Sequence, residues 1–267
     1  MDPVGEIEQA FVAHWSLLGQ WPGARLVDEG GVLRFETQIP KIPYNGVIRT
    51  AIEHDPGEAI SDVVEAYRRK GSEFFWVVHP SSTPADLADL LQAEGLDLAE
   101  RSIGMSLELD AWTPPTPETG DPVEYAEVLD DEGLRAYSDI AVGYWEVDDE
   151  YRELVETMNR YWSGARLPGR RWVAFLEGEP IAKAYVSFSG PPGVAAIYGM
   201  SVRPEARGRG VASRLTQILL EVAKADGRER VVLHSSEMAV GVYRRAGFVD
   251  RCELQFFATA PIWSGKH

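Results

Sequence analysis

The segment Val202 to Ala212, VRPEARGRGVA, constrains the fold more than any other stretch of the chain. It follows an apolar run from Val194 and leads into Val211, Leu215, Ile218, Leu219 and Val222, whose spacing puts them on one face of a helix. The local order is therefore strand, glycine-rich loop, helix. Backbone N–H groups at the start of a helix have no intrahelical acceptor, so they can face an anion. Glycines at 208 and 210 remove side chains that would hold that anion away from the backbone. Arg203, Arg207, Arg209 and Arg214 gather positive charge there in a chain whose net charge is −16. A phosphate-bearing ligand is the expected occupant.

The elements around this segment predict an α/β domain with a mixed sheet. Val123 to Val128 reads as a strand, and Asp130 or Asp131 caps a helix running to about Val142. Tyr151 to Trp162 has helical apolar spacing. Strands at Arg171 to Leu176 and Ile181 to Phe188 are separated by the hairpin signal Glu177-Gly178-Glu179-Pro180. After the strand 194 to 202 and its helix come a short strand at Val231 to Leu233, a helix at Ala239 to Ala246 stopped by Gly247, and a strand at Cys252 to Ala258. Antiparallel strands followed by strand, helix and strand imply one crossover to a parallel neighbour.

Residues 1 to 112 repeat part of this order. A strand is expected at Asn45 to Ile52, a helix at Glu58 to Lys70, a strand at Phe74 to Val78, and a helix at Thr83 to Ala93 with Thr83 and Asp86 placed as a capping box. LLQAEGL (90 to 96) and VYRRAGF (242 to 248) end their helices alike, which points to an internal duplication. The proline-rich stretch Thr113 to Pro122 is the natural linker, dividing a domain at 1 to 112 from one at 123 to 267.

Composition narrows the partners. A strongly acidic chain is a poor match for nucleic acid or an anionic membrane, both of which attract basic surfaces. The acid is concentrated early: residues 1 to 120 carry 8 Lys and Arg against 20 Asp and Glu, residues 121 to 267 carry 18 against 22. This favours a cationic substrate, or simply a solubilising face. One cysteine, Cys252, excludes an internal disulfide, and the 5 histidines show no metal-ligand spacing. No basic leader or long apolar run stands out, so a cytoplasmic protein is expected.

The loop lacks the GK[ST] ending of a P-loop and the GxGxxG spacing of a dinucleotide site. Arg207-Gly208-Arg209-Gly210-Val211-Ala212 resembles the acetyl-CoA motif Q/R-x-x-G-x-G/A of the GNAT superfamily of N-acetyltransferases. Ser236 to Phe248, SEMAVGVYRRAGF, resembles its second signature, Asn-x-x-Ala-x-x-x-Tyr-x-x-x-Gly-Phe, with Ser236 in the place of Asn. The likeness covers about residues 121 to 260. It implies a GNAT fold in the C-terminal half, with the first half a degenerate GNAT-like domain as in tandem members. In that half, Glu53-His54-Asp55-Pro56-Gly57-Glu58 follows the strand and would repel a pyrophosphate, so no cofactor site is expected there.

The resemblance implies acetyl-CoA as co-substrate, with no metal. Met200, Ser201, Val202, Arg207, Gly208, Arg209, Gly210, Val211, Ala212, Ser213, Ser236 and Tyr243 are the implied cofactor-binding residues. The cofactor's pantetheine arm would lie between two splayed parallel strands, at 194 to 202 and 231 to 234. Tyr243 is the implied proton donor to the departing thiolate. An amine attacks the thioester directly, so Cys252 has no catalytic part. Glu146 and His234 are both candidates for the base, and Tyr198 can act through water; the residues do not choose between them. Tyr144, Trp145, Glu146, Tyr198 and His234 are candidate acceptor contacts, the segment GYWEVDDE (143 to 150) joining aromatics to acids. The expected reaction is acetyl transfer to a primary amine of a small molecule such as an aminoglycoside, amino sugar or polyamine. A peptide acceptor and a non-catalytic acyl-CoA sensor are the alternatives, and a homodimer is compatible with the sequence.

Overall fold

A computed structural model describes residues 2–114 and 122–261. Its elements begin with α1 (Pro3–Gln20), β1 (Arg25–Glu29), β2 (Val32–Glu36), β3 (Gly46–Thr50), α2 (Pro56–Lys70), β4 (Phe75–Val78), α3 (Leu87–Ala93) and β5 (Asp97–Glu108). They continue with β6 (Val123–Glu127), α4 (Asp131–Tyr144), α5 (Arg152–Tyr161), β7 (Gly169–Leu176), β8 (Glu179–Ser187) and β9 (Val194–Val202). The last are α6 (Val211–Ala225), β10 (Arg230–Ser235), α7 (Val240–Ala246) and β11 (Val249–Ala258).

The chain forms two compact units, and they do not follow the boundaries 1 to 112 and 123 to 267. One comprises Gly104–Arg251 with the start of α1 up to Ala10, and the other Phe11–Ile103 with the chain from Cys252 onward. Hydrogen bonding explains the exchange. The end of β11 pairs antiparallel with β4, Gln255 opposite Val78 and Ala258 opposite Phe75, so it completes the sheet of the 11–103 unit. Just beyond β5, Leu109 N–H donates to Glu229 O at 2.8 Å, and Lys224 Nζ donates to the carbonyls of Leu109 and Trp112, which ties this stretch to the 104–251 unit. Residues 115–121, most of the expected linker, lie outside the described residues.

In the 104–251 unit the strand order is β5-β10-β9-β8-β7-β6, with β6 to β9 antiparallel in succession and β10 parallel to β9 across α6. Glu177 (φ 53) and Gly178 (φ 83) form the two-residue turn between β7 and β8, since both positions need a left-handed backbone. Asp130 caps α4 by accepting from Gly133 N–H at 2.8 Å. Along α6, Val211, Leu215, Leu219 and Leu220 are buried, each contributing roughly 1.5–3 kcal/mol relative to an exposed side chain.

The 11–103 unit has the order β1-β2-β3-β4-β11-β5, with β1 to β3 antiparallel and β4 parallel to β3 across α2. Its core packs Ile60, Val63, Val64 and Tyr67 of α2 on Val47 and Trp76 of the sheet. The two halves of the chain therefore repeat one order: an antiparallel run, a helical crossover to a parallel strand, a short helix and a long strand. The capping box at Thr83 does not form. Thr83 is drawn into a bridge with Ala51, its carbonyl accepting from Ile52 N–H at 3.1 Å, and the helix begins only at Leu87.

Candidate active site

The glycine loop after β9 is held by bonds to the backbone. Arg203 N–H donates to Ile181 O at 2.8 Å, which keeps β9 on its ladder to the end. A single turn at Pro204–Ala206 follows, and Arg207 Nε returns to Val202 O at 3.2 Å. Gly208 (φ 74) and Gly210 (φ 81) are left-handed, where a side chain costs roughly 1–2 kcal/mol, and open space lies where a Cβ would stand. The glycines serve the backbone as well as the ligand. Arg214 N–H is the first to bond into α6, at Gly210 O (2.9 Å), so the N–H groups of Val211, Ala212 and Ser213 point outward from the helix end. Of the four arginines, Arg214 turns along the helix to Glu221 at 3.6 Å, while Arg209 is exposed.

Upstream of the loop, β9 and β10 part company. Their parallel register runs from Val194↔Arg230 to Ala196↔Val232, although β9 continues to Val202 and β10 to Ser235. Beyond that point β9 carries a bulge: Tyr198 faces Tyr185 and Ser201 faces Lys183, so Gly199 and Met200 stand against Ala184 alone. Gly199 has φ 60 and is exposed, although it lies in an interior strand between buried Tyr198 and Ser201. These features fit an extended arm entering between the strands, with Met200 and Val202 half-buried at its edge.

Tyr243 lies on α7, which packs against α6, and is 5% exposed with its ring 5.8 Å from that of Phe248. Burial pushes its phenol well above the ordinary tyrosine range, so it is protonated at neutral pH, as a proton donor must be. Ser236 does not cap α7. The helix begins after Ala239 without a side-chain cap, and it is the Ser236 carbonyl that accepts from Ala239 and Val240, both at 3.1 Å.

The acceptor candidates fall into two groups. Tyr198 on β9 and His234 on β10 come together, their rings 5.8 Å apart. Burial raises the Tyr198 phenol far above its usual range, so it too is a donor at neutral pH rather than a base. Tyr144 and Trp145 meet edge to face at 5.0 Å where α4 ends. Glu146 follows them, exposed and with φ 47, in the position after a helix that glycine normally occupies. Asp148 and Asp149 form no side-chain cap on the turn that precedes α5. Cys252 is half-buried.

The sequence reading missed Lys183. It lies buried in β8 with Nζ donating to Gly199 O at 2.9 Å. The signal was present, as one lysine in the otherwise apolar run Ile181-Ala182-Lys183-Ala184-Tyr185-Val186. Among the described residues no group of three His, Cys, Asp or Glu is placed to hold a metal ion, and no helix is long and apolar enough to cross a membrane.

Residues 134–248 match the model of the Acetyltransferase (GNAT) family, a span lying wholly inside the 104–251 unit. No curated protein matches the sequence. Among solved structures, a GCN5-related N-acetyltransferase from Kribbella flavida is 20% identical over 94% of this chain and 95% of that one, with a TM-score of 0.65. A GCN5-related N-acetyltransferase from Sphaerobacter thermophilus is 17% identical over 99% and 93%, with a TM-score of 0.63. A tandem GNAT protein from the clavulanic acid biosynthesis pathway is 17% identical over 96% and 94%, with a TM-score of 0.62. At such identities the likeness is one of fold, and it extends over nearly the whole chain. The GNAT family match is thus confined to residues 134–248, within a chain whose fold resembles these N-acetyltransferase structures nearly throughout.

Proposed function

We propose that the chain transfers an acetyl group from acetyl-CoA to a primary amine of a small molecule, in the class of aminoglycosides, amino sugars, polyamines and related metabolites. The observation that carries this reading is the opening between β9 and β10. Register is lost after Ala196↔Val232, Gly199 is exposed in an interior strand, and the glycine loop lies a few residues further on. An activated thioester is what acetyl-CoA supplies. Gly208 to Ser213 hold its pyrophosphate through backbone N–H groups, and Met200, Ser201 and Val202 line its arm. Tyr243 gives its proton to the leaving sulfur. With Tyr198 held as a donor, Glu146 and His234 remain as the groups that take the proton of the amine. Tyr144, Trp145 and Glu146 supply the stacking and negative charge that suit a cationic acceptor.

The 11–103 unit binds no acetyl-CoA in this reading. Support comes from its own parallel pair, where His79 Nε2 bonds Ile48 O at 3.0 Å and Trp76 Nε1 donates to Thr50 Oγ1 at 2.8 Å, filling the place between β3 and β4.

The test is release of CoA from acetyl-CoA with a panel of amines and of peptides bearing free N-termini or lysines. Turnover with small amines and none with peptides is expected. Turnover with peptides alone would move the acceptor class, and binding without turnover on any amine would make the chain a sensor.

A further inference from the structure

Lys183 is 4% exposed in the middle of β8, and among the described residues no carboxylate pairs with it. Its ammonium lies 4.7 Å from the centre of the Tyr137 ring and donates to Gly199 O. Burial, and secondarily the nearby Arg171, lower its pKa, with Tyr137 acting the other way. A methionine would fill the same space without desolvating a charge. An ammonium kept here against that cost points to a task for its hydrogen bond.

The acceptor of that bond identifies the task. Gly199 O belongs to the peptide joining the two bulge residues, Gly199 and Met200, neither of which has a register partner on β8 or β10. A trans peptide is rigid, with its carbonyl and N–H on opposite sides, so a clamp on Gly199 O also fixes the direction of the Met200 N–H. Tyr137 closes the clamp. A Cβ built on Gly199 would stand 3.1 Å from Lys183 Nζ and 3.4 Å from the Tyr137 hydroxyl, so both groups converge on this one residue.

We propose that Lys183, backed by Tyr137, is a positioning residue for acyl transfer: it holds the Gly199–Met200 peptide so that the Met200 N–H faces the opening between β9 and β10 and donates to the thioester carbonyl oxygen. This rests on the acyl-transfer reading above. In the reaction the amine nitrogen bonds to the carbonyl carbon and the C–S bond breaks. The amine's proton passes to the base and the sulfur takes one from Tyr243. Lys183 exchanges no proton in this step.

The test uses the full chain with [1-13C]acetyl-CoA and two readouts: the infrared carbonyl stretch of the bound thioester, and kcat and KM with glucosamine and spermidine, or hydrolysis where neither is acetylated. In the unaltered protein the band lies below that of free acetyl-CoA. Lys183→Met is expected to return it toward the free position and lower kcat about 10-fold to 100-fold, with the Kd of acetyl-CoA changed less than about 3-fold. A variant that keeps both the band and kcat overturns the proposal. If Lys183→Met does not fold, Tyr137→Leu takes its place, and a retained band and kcat there overturn it equally. Failure of the unaltered protein to bind acetyl-CoA would instead sink the underlying acyl-transfer reading, and the proposal with it.

Discussion

The two parallel strand pairs, β9 with β10 and β3 with β4, share a topology and differ in what stands between and after them. In the 104–251 unit the register ends at Ala196↔Val232, Gly199 is exposed, and the following helix opens on Gly208 and Gly210. In the 11–103 unit the register ends even sooner, at Val47↔Trp76. There the gap is spanned by side chains, His79 to Ile48 O and Trp76 to Thr50, and by the bridge of Ala51 with Thr83. The next helix opens on Asp55 at φ 46 and Pro56, with Glu53 and Glu58 beside it. One pair parts beside a glycine loop. The other is bridged by side chains and followed by carboxylates at the start of the next helix.

This contrast can be broken outright by stoichiometry. Calorimetric titration is expected to give one acetyl-CoA per chain, and a second site would show that the β3–β4 pair still opens. The next largest effect is expected at Tyr243. Tyr243→Phe should lower kcat about 100-fold while leaving the KM for acetyl-CoA near its starting value. Because burial raises the phenol, kcat should show no alkaline loss from this group within the ordinary tyrosine range; a fall there would mean that the environment does not hold the proton. Gly210→Val places a β-branched residue at φ 81 and is expected to weaken acetyl-CoA binding about 30-fold to 100-fold. Arg209→Ala, at an exposed side chain, should cost no more than about 10-fold. Equal losses would assign the site to side-chain charge rather than backbone.

Smaller effects sharpen the comparison through stability. Tyr67→Phe in the 11–103 unit removes a hydroxyl bond to Phe35 O at 2.8 Å, which should cost about 1 kcal/mol of stability with kcat unchanged. Glu146→Gly relieves a left-handed backbone and should stabilise the fold by about 1 kcal/mol. A simultaneous loss of kcat would support Glu146 as the base, and full activity would pass that part to His234.

Much of the site was legible because its chemistry lies in contiguous residues. The spacing of Arg207, Gly210 and Ala212, the run to Tyr243 and Phe248, and the strand 194–202 all correspond to the elements observed. The helix Pro3–Gln20, with buried Ile7, Ala10 and Phe11 at helical spacing, was within reach of the same periodicity rule. Thr83 was misleading for a physical reason: its backbone found a partner in Ala51, and a tertiary bridge outweighed the local cap. Lys183 was visible as a charge in an apolar strand, yet its partners, Gly199 and Tyr137, lie 16 residues on and on helix α4.

By itself the sequence determined the elements from residue 123 onward, the glycine loop and the residues that match the family, because these depend on periodicity, on glycine conformations and on helix ends, all local properties of the chain. Tertiary structure alone decided which strand completes which unit, where β9 bulges, and that one buried ammonium clamps that bulge. Those outcomes depend on hydrogen bonds between residues far apart in sequence, and no spacing rule encodes which carbonyl a lysine will reach.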